Sequence, residues 1–537
     1  MKFISHLREQ SFNILLFLII IIIFFVYYLF GIDTKWDEGF YLMSYDNDSI
    51  ILTQSYKIIN LLFGNMHNSL IKARLIKFLF QISSILIFFF LLKKTLPSNQ
   101  IKLYHLLLFF IPSLIIYEKV LSYREIHQFL VFMIVGLTYF YFYKNKLKTT
   151  LFFIAFFLVI ASFNIPTSGI ILFLLFYFLI LVNGLFNKYN IKNILLEYFW
   201  LSFFVVVSLF IVHFFLIDLI FFKKSIIDSY NKISNSASGH SLIDLFLNYI
   251  PVVKEFILFS IFLIVLFFIE KKEVIKKQKH IFKLLLFSIV LFVGFYRNSI
   301  GYIYMYITLP FMVNYFLNNK GGIFDKLMML ILLLLPIISS FGTNTPISLM
   351  VLFFTPVWYI FFIKLKKDKY SFYSLILVLM TSIVFFHSHK EYSNILGNYF
   401  NSKEKLNVDL NIDSIKVNKD QKEFFLFFNK LINRRKRDKE GKDLYFTFYH
   451  SMIVVYAFNG ELVGLPYHQL SNYILDFNSE CDKSIVQQPD ILILNLTEVN
   501  VLTKFNLWDF PIEYDKFQYN KKGSEFDSRM IFLRKNR

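Results

Sequence analysis

The sequence predicts a polytopic α-helical membrane protein of about thirteen transmembrane helices, with a small C-terminal α/β domain on the extracytoplasmic side. Three observations predict it. The chain of 537 residues is 56% hydrophobic and only 17% charged, and its 71 Phe and long Ile/Leu runs exceed what a soluble core needs. Apolar runs approaching membrane length, roughly 20 residues, recur up to about position 388. From position 389 to 537 the composition is polar and mixed, with no further run of that kind.

The first span is read at 12–30, too long for the apolar region of a signal peptide and without a small-residue cleavage site after it. The next spans are read at 71–92, 102–117, 126–143, 150–161, 169–184 and 195–222. The last six are 252–269, 281–296, 302–317, 327–341, 347–363 and 371–387. Two long outside loops, 31–70 and 223–250, interrupt them.

Lysine placement supports the count. Cytoplasmic loops of membrane proteins collect Lys and Arg. With the N-terminus inside, the inside loops carry Lys93 and Lys94, then Lys144, Lys146 and Lys148, then Lys188 and Lys192. Further along they carry Lys271 to Lys279, Lys320, and Lys364 to Lys369. The outside turns at 162–168 and 342–346 carry none, and the one near 297 has only Arg297. The alternation puts the loop 31–70 and the C-terminal domain outside. It also gives the net charge of +19 a simpler explanation than nucleic-acid binding.

In the polar region, 443–448 and 490–495 read as short buried strands. Residues 421–432 read as a helix with Phe424, Phe425, Phe428 and Leu431 on one face. Cys481 is the sole cysteine, which excludes an intrachain disulfide and a cysteine-based metal site. There is no phosphate-binding Walker loop, no dinucleotide glycine motif and no His-Glu-x-x-His zinc motif.

The chemistry is placed in the first outside loop. Trp36-Asp37-Glu38-Gly39-Phe40-Tyr41 follows the first span, with Asp33 a turn earlier. A carboxylate there can accept a proton from an attacking hydroxyl or hold a divalent cation. On charge alone the favoured reading is a solvated acidic loop that helps orientation. Residues 50–63 then read as a helix lying flat in the membrane interface. Lys72-Ala73-Arg74-Leu75 opens the second span.

This arrangement resembles the GT-C superfamily of membrane glycosyltransferases, which includes the protein O-mannosyltransferases and the lipid A aminoarabinose transferases. Span, Trp-Asp-Glu-Gly-Phe-Tyr, interfacial helix and basic opening of the second span carry the resemblance. Thirteen spans and an outward C-terminal domain resemble the aminoarabinose-transferase type. The resemblance implies a GT-C-like fold and an inverting enzyme that moves a sugar from a polyprenyl-phosphate donor to an acceptor hydroxyl on a lipid, glycan or protein. It implies Asp37 as general base, with Glu38 beside it sharing in catalysis or orienting the loop. Glu125, at the opening of the fourth span, matches a second acidic position that is often Asp in the family.

An anionic polyprenyl-phosphate leaving group needs cationic donors on the outside, against the positive-inside trend. The candidates are Lys72, Arg74, Arg124 and Arg297. Each could also be a basic side chain reaching from a span end to the interface, as is the reading for Lys77. A divalent cation is the one cofactor considered. The expected setting is a bacterial inner membrane, N-terminus cytoplasmic, with membrane lipids and no nucleic acid as partners. A polymerase or ligase of lipid-linked glycans, or a non-enzymatic flippase or transporter of them, are the alternatives. The prolines do not recur in two matching halves, which counts against a transporter.

Overall fold

The computed structural model describes residues 2–31, 38–46, 63, 69–96, 101–114, 119–144, 146–215, 250, 257, 261, 322–340 and 347–360 of the apolar region. In the polar region it describes 402–406, 410, 412, 415–434, 442–447, 451–462, 488–505, 507–521, 526 and 529–535. The spans expected at 252–269, 281–296, 302–317 and 371–387 therefore lie outside the described residues apart from isolated positions, as do the expected helix 50–63 (Phe63 excepted) and the loop 223–250 (Ile250 excepted).

The apolar region is a bundle of α1 (Lys2–Ile23), α3 (Leu70–Thr95), α4 (Leu103–Leu114), α5 (Tyr123–Tyr143), α6 (Lys148–Asn164), α7 (Pro166–Phe186), α8 (Ile191–Phe215), α9 (Ile323–Ser340) and α10 (Ile347–Phe354). A short helix, α2 (Glu38–Asp46), follows the first span. Among the described residues, five helices are long and apolar enough to cross a membrane: α3, α5, α7, α8 and α9. The chain is thus mostly helical and polytopic.

Local chemistry sets the helix ends. Ser69 caps α3 and Ser122 caps α5 with their hydroxyls. Pro166 starts α7, where a missing N–H costs nothing. The expected short span 150–161 is longer, because α6 continues to Asn164 and turns directly into α7. After Phe354 the chain tightens into a 3-10 turn, Thr355–Trp358, that holds Pro356.

The polar region builds one mixed sheet. Its elements are α11 (Lys419–Arg434), β1 (Leu444–Thr447), α12 (Met452–Ala457), β2 (Glu461–Leu462), β3 (Ile491–Leu494), α13 (Leu496–Phe505), β4 (Tyr514–Tyr519) and β5 (Arg529–Arg534). The strand order is β2-β1-β3-β5-β4. The first three strands are parallel, and β5 runs antiparallel to both β3 and β4.

Successive side chains of a strand face opposite ways. One face, with Tyr445, Ile491, Ile493 and Ile531, joins Phe424 and Phe428 of α11 and the buried helix α12. The other, with Phe446, Leu492, Leu494 and Phe532, closes on Leu502 of α13 and Phe510. The first of these cores is continuous with the apolar interior of the helix bundle.

Candidate functional site

The site is organised by one face of α3. Arg74, Lys77, Gln81 and Ser84 recur at spacings of three and four, so they line one stripe, and all four are buried. The first three tie α3 to the end of the first span, to α2, to α5 and to the end of α4.

Arg74 reaches the end of the first span. There the helix widens into a π turn, Phe24–Tyr28, and then stops, which leaves carbonyls without helical partners. The guanidinium supplies partners. Its Nη1 donates to the Tyr28 carbonyl at 2.6 Å and its Nη2 to the Gly31 carbonyl at 2.9 Å. Lys119 does the same work from the start of the next segment, donating to the carbonyls of Phe30 at 2.6 Å and Gly31 at 3.1 Å. Gly31 has φ 71°, a left-handed conformation that suits glycine, and this aims its carbonyl at both cations.

The same guanidinium holds Glu38. Nε donates to Oε1 at 2.8 Å and Nη2 to Oε2 at 2.9 Å, a bidentate pair with neither side chain exposed. Glu38 is the first residue of α2, where a carboxylate also complements the helix N-terminus. Arg74 thus fixes the chain just before and just after 32–37.

Lys77, three residues on, pairs with Glu125 at 2.8 Å, again with neither side chain exposed. Glu125 is also the third residue of α5 and accepts from the Ser122 backbone N–H at 2.8 Å and from the Ser122 hydroxyl. It is therefore one half of a capping box as well as an ion-pair partner. Gln81 completes the stripe. It donates to the Ser113 carbonyl at 3.2 Å and accepts from Tyr28 Oη at 3.3 Å, and Tyr28 Oη also reaches the Leu114 carbonyl at 2.8 Å.

The residues expected to form the site now separate. Glu38, Arg74 and Glu125 lie together in this buried framework. Arg74 was expected as a phosphate ligand, but Nε, Nη1 and Nη2 are all engaged inside the protein, which makes it a poor one. Lys77, expected as an anchor at a span end, is buried and paired instead. Lys72 is exposed on the first turn of α3. Arg124 is 8% exposed, with its guanidinium 5.0 Å from the ring centre of Tyr123. The Tyr123 ring centre in turn lies 6.2 Å from that of Tyr41 of α2. Asp37 and Arg297 lie outside the described residues.

Sequence reasoning missed Lys119 and read Lys77 only as an anchor. For Lys77 the signal was present: three residues after Arg74 and four before Gln81, it continues a polar stripe along an otherwise apolar helix. Among the described residues no group of three or more His, Cys, Asp or Glu could hold a metal ion.

No family model matches the chain, and no curated protein is significantly similar to it. Among solved structures, the crystal structure of ArnT from Cupriavidus metallidurans bound to undecaprenyl phosphate is similar over 97% of this chain and 98% of that chain. The identity is 9% and the TM-score 0.41, a likeness too distant to carry an argument about chemistry.

Proposed function

We propose that the protein is a membrane glycosyltransferase of the GT-C type. It moves a sugar from a polyprenyl phosphate to an acceptor hydroxyl on the outer side of the membrane, with inversion. The acidic motif after the first span supports this reading, and one observation bears on its base: two of the three acidic candidates, Glu38 and Glu125, are held in buried ion pairs with α3. Engaged in those pairs, they hold the framework around α3 rather than exchange protons. The base role falls to Asp37, the residue before α2.

In this reading Asp37 takes the acceptor proton as the oxygen attacks the anomeric carbon, and the phosphate leaves with the bonding pair. Lys72, Arg124 and Arg297 are the cations assigned to the departing phosphate. A divalent cation, where one is used, would sit with the loop carboxylates. The N-terminus is cytoplasmic and the C-terminal domain outside, in a bacterial inner membrane. Mass spectrometry of envelope glycans and glycolipids with and without the gene tests the reading. Loss of one sugar, restored by the wild-type gene but not by the Asp37→Asn gene, is expected. An unchanged glycan profile would count against it.

A further inference from the structure

The C-terminal region is not an appendage to the site. Phe30 forms a parallel bridge with Lys416, and the Gly31 N–H donates to the Lys416 carbonyl at 2.8 Å. Lys416 belongs to the segment that leads directly into α11, and its neighbour Val417 pairs with Glu404 through two backbone hydrogen bonds of 2.9 and 3.0 Å. So one end of the acidic loop is joined to the polar region through the backbone.

The other end is joined through packing. Helix α12 lies on α2. Gly39, next to Glu38, meets the backbone of α12 so closely that a Cβ there would lie 2.7 Å from Ile453 Cα and from Met452 C. No side chain fits that contact. All six residues of α12 are buried, although the helix belongs to the polar region. In chain order α12 lies between the parallel strands β1 and β2. Burial raises the hydroxyl pKa of Tyr456, on α12, most, the Glu38 charge raises it further, and Arg74 opposes.

We propose that the C-terminal domain is a working part of the acidic site. It clamps the loop at Gly31 and at Gly39. Only the activity part of the test rests on the glycosyltransferase reading.

The full-length protein in lipid nanodiscs is used. Hydrogen exchange is followed in 40–46 and 452–457 for wild type and Gly39→Val. The clamp predicts that both segments exchange about tenfold faster in the variant, with α5 to α8 unchanged. Wild-type rates in both segments would overturn it.

Gly39→Val should also lower transfer of a labelled sugar from a polyprenyl phosphate about tenfold, and wild-type transfer alongside faster exchange would show that the clamp is not a working part of the site. A wild-type protein that transfers no sugar would defeat the functional reading, while exchange still decides the clamp.

Discussion

Helices α5 and α8 are both long and apolar enough to cross a membrane, yet 67% of the apolar window of α5 is buried in protein and only 17% of that of α8. The difference lies in what each buries. Helix α5 buries Arg124, Glu125, His127, Gln128 and Thr138. Helix α8 buries Ser208 with Ile194, Leu201 and Val212, and presents Leu195, Phe199, Phe203, Phe210 and Phe214 outward. Lipid tails solvate apolar side chains as well as a protein core does, so hydropathy cannot tell the two apart. Polar groups can, because they must find partners inside the protein. The helices that build a site in a membrane are those whose polar residues are buried and matched.

Three changes would break or sharpen this contrast. The largest effect belongs to Lys77→Met, which leaves the Glu125 carboxylate buried without its ion-pair partner. Removing one partner of a buried pair costs about 3–5 kcal/mol. The expected result is a large drop in thermal midpoint in nanodiscs, mostly recovered in Lys77→Met/Glu125→Gln. If the double variant is no better than the single one, the pair is not the cause.

A middle effect is expected for Asn164→Leu. The Asn164 amide donates to the Tyr123 carbonyl at 2.8 Å and ties the α6–α7 turn to the start of α5. Losing one such bond costs about 1 kcal/mol, seen as a smaller shift of the same midpoint. The smallest effect belongs to Phe203→Ala on the outward face of α8, where the change in stability should stay within about 0.5 kcal/mol. A larger loss would mean that α8 packs against protein there and would weaken the contrast.

Much of the membrane architecture was legible because it is written in length and period. The spans expected at 71–92, 126–143, 169–184 and 327–341 fall on α3, α5, α7 and α9 within a few residues. Strands expected at 443–448 and 490–495 fall on β1 and β3, whose burial is nearly complete. β4 was harder to see because it lies at the sheet edge with its middle residues facing water.

The site was legible in its residues but not in their pairing. Arg74 and Glu38 were picked out from local patterns, and Glu125 from the family resemblance. That Arg74 serves Glu38 and two carbonyls depends on segments 36 to 46 residues apart. The contact of α12 with α2 depends on residues some four hundred positions apart, which no local pattern reports.

The central claim is that Asp37 acts as the base while Glu38 is engaged with Arg74 in holding the loop. The most direct measurement is transfer of a labelled sugar from a polyprenyl phosphate by purified Asp37→Asn protein, with hydrogen exchange confirming that the fold is retained. A lost general base typically lowers the rate about 10²–10⁴-fold, and that fall, at unchanged protection of α2 and α3, is the predicted result. Wild-type transfer by the folded variant would contradict the account.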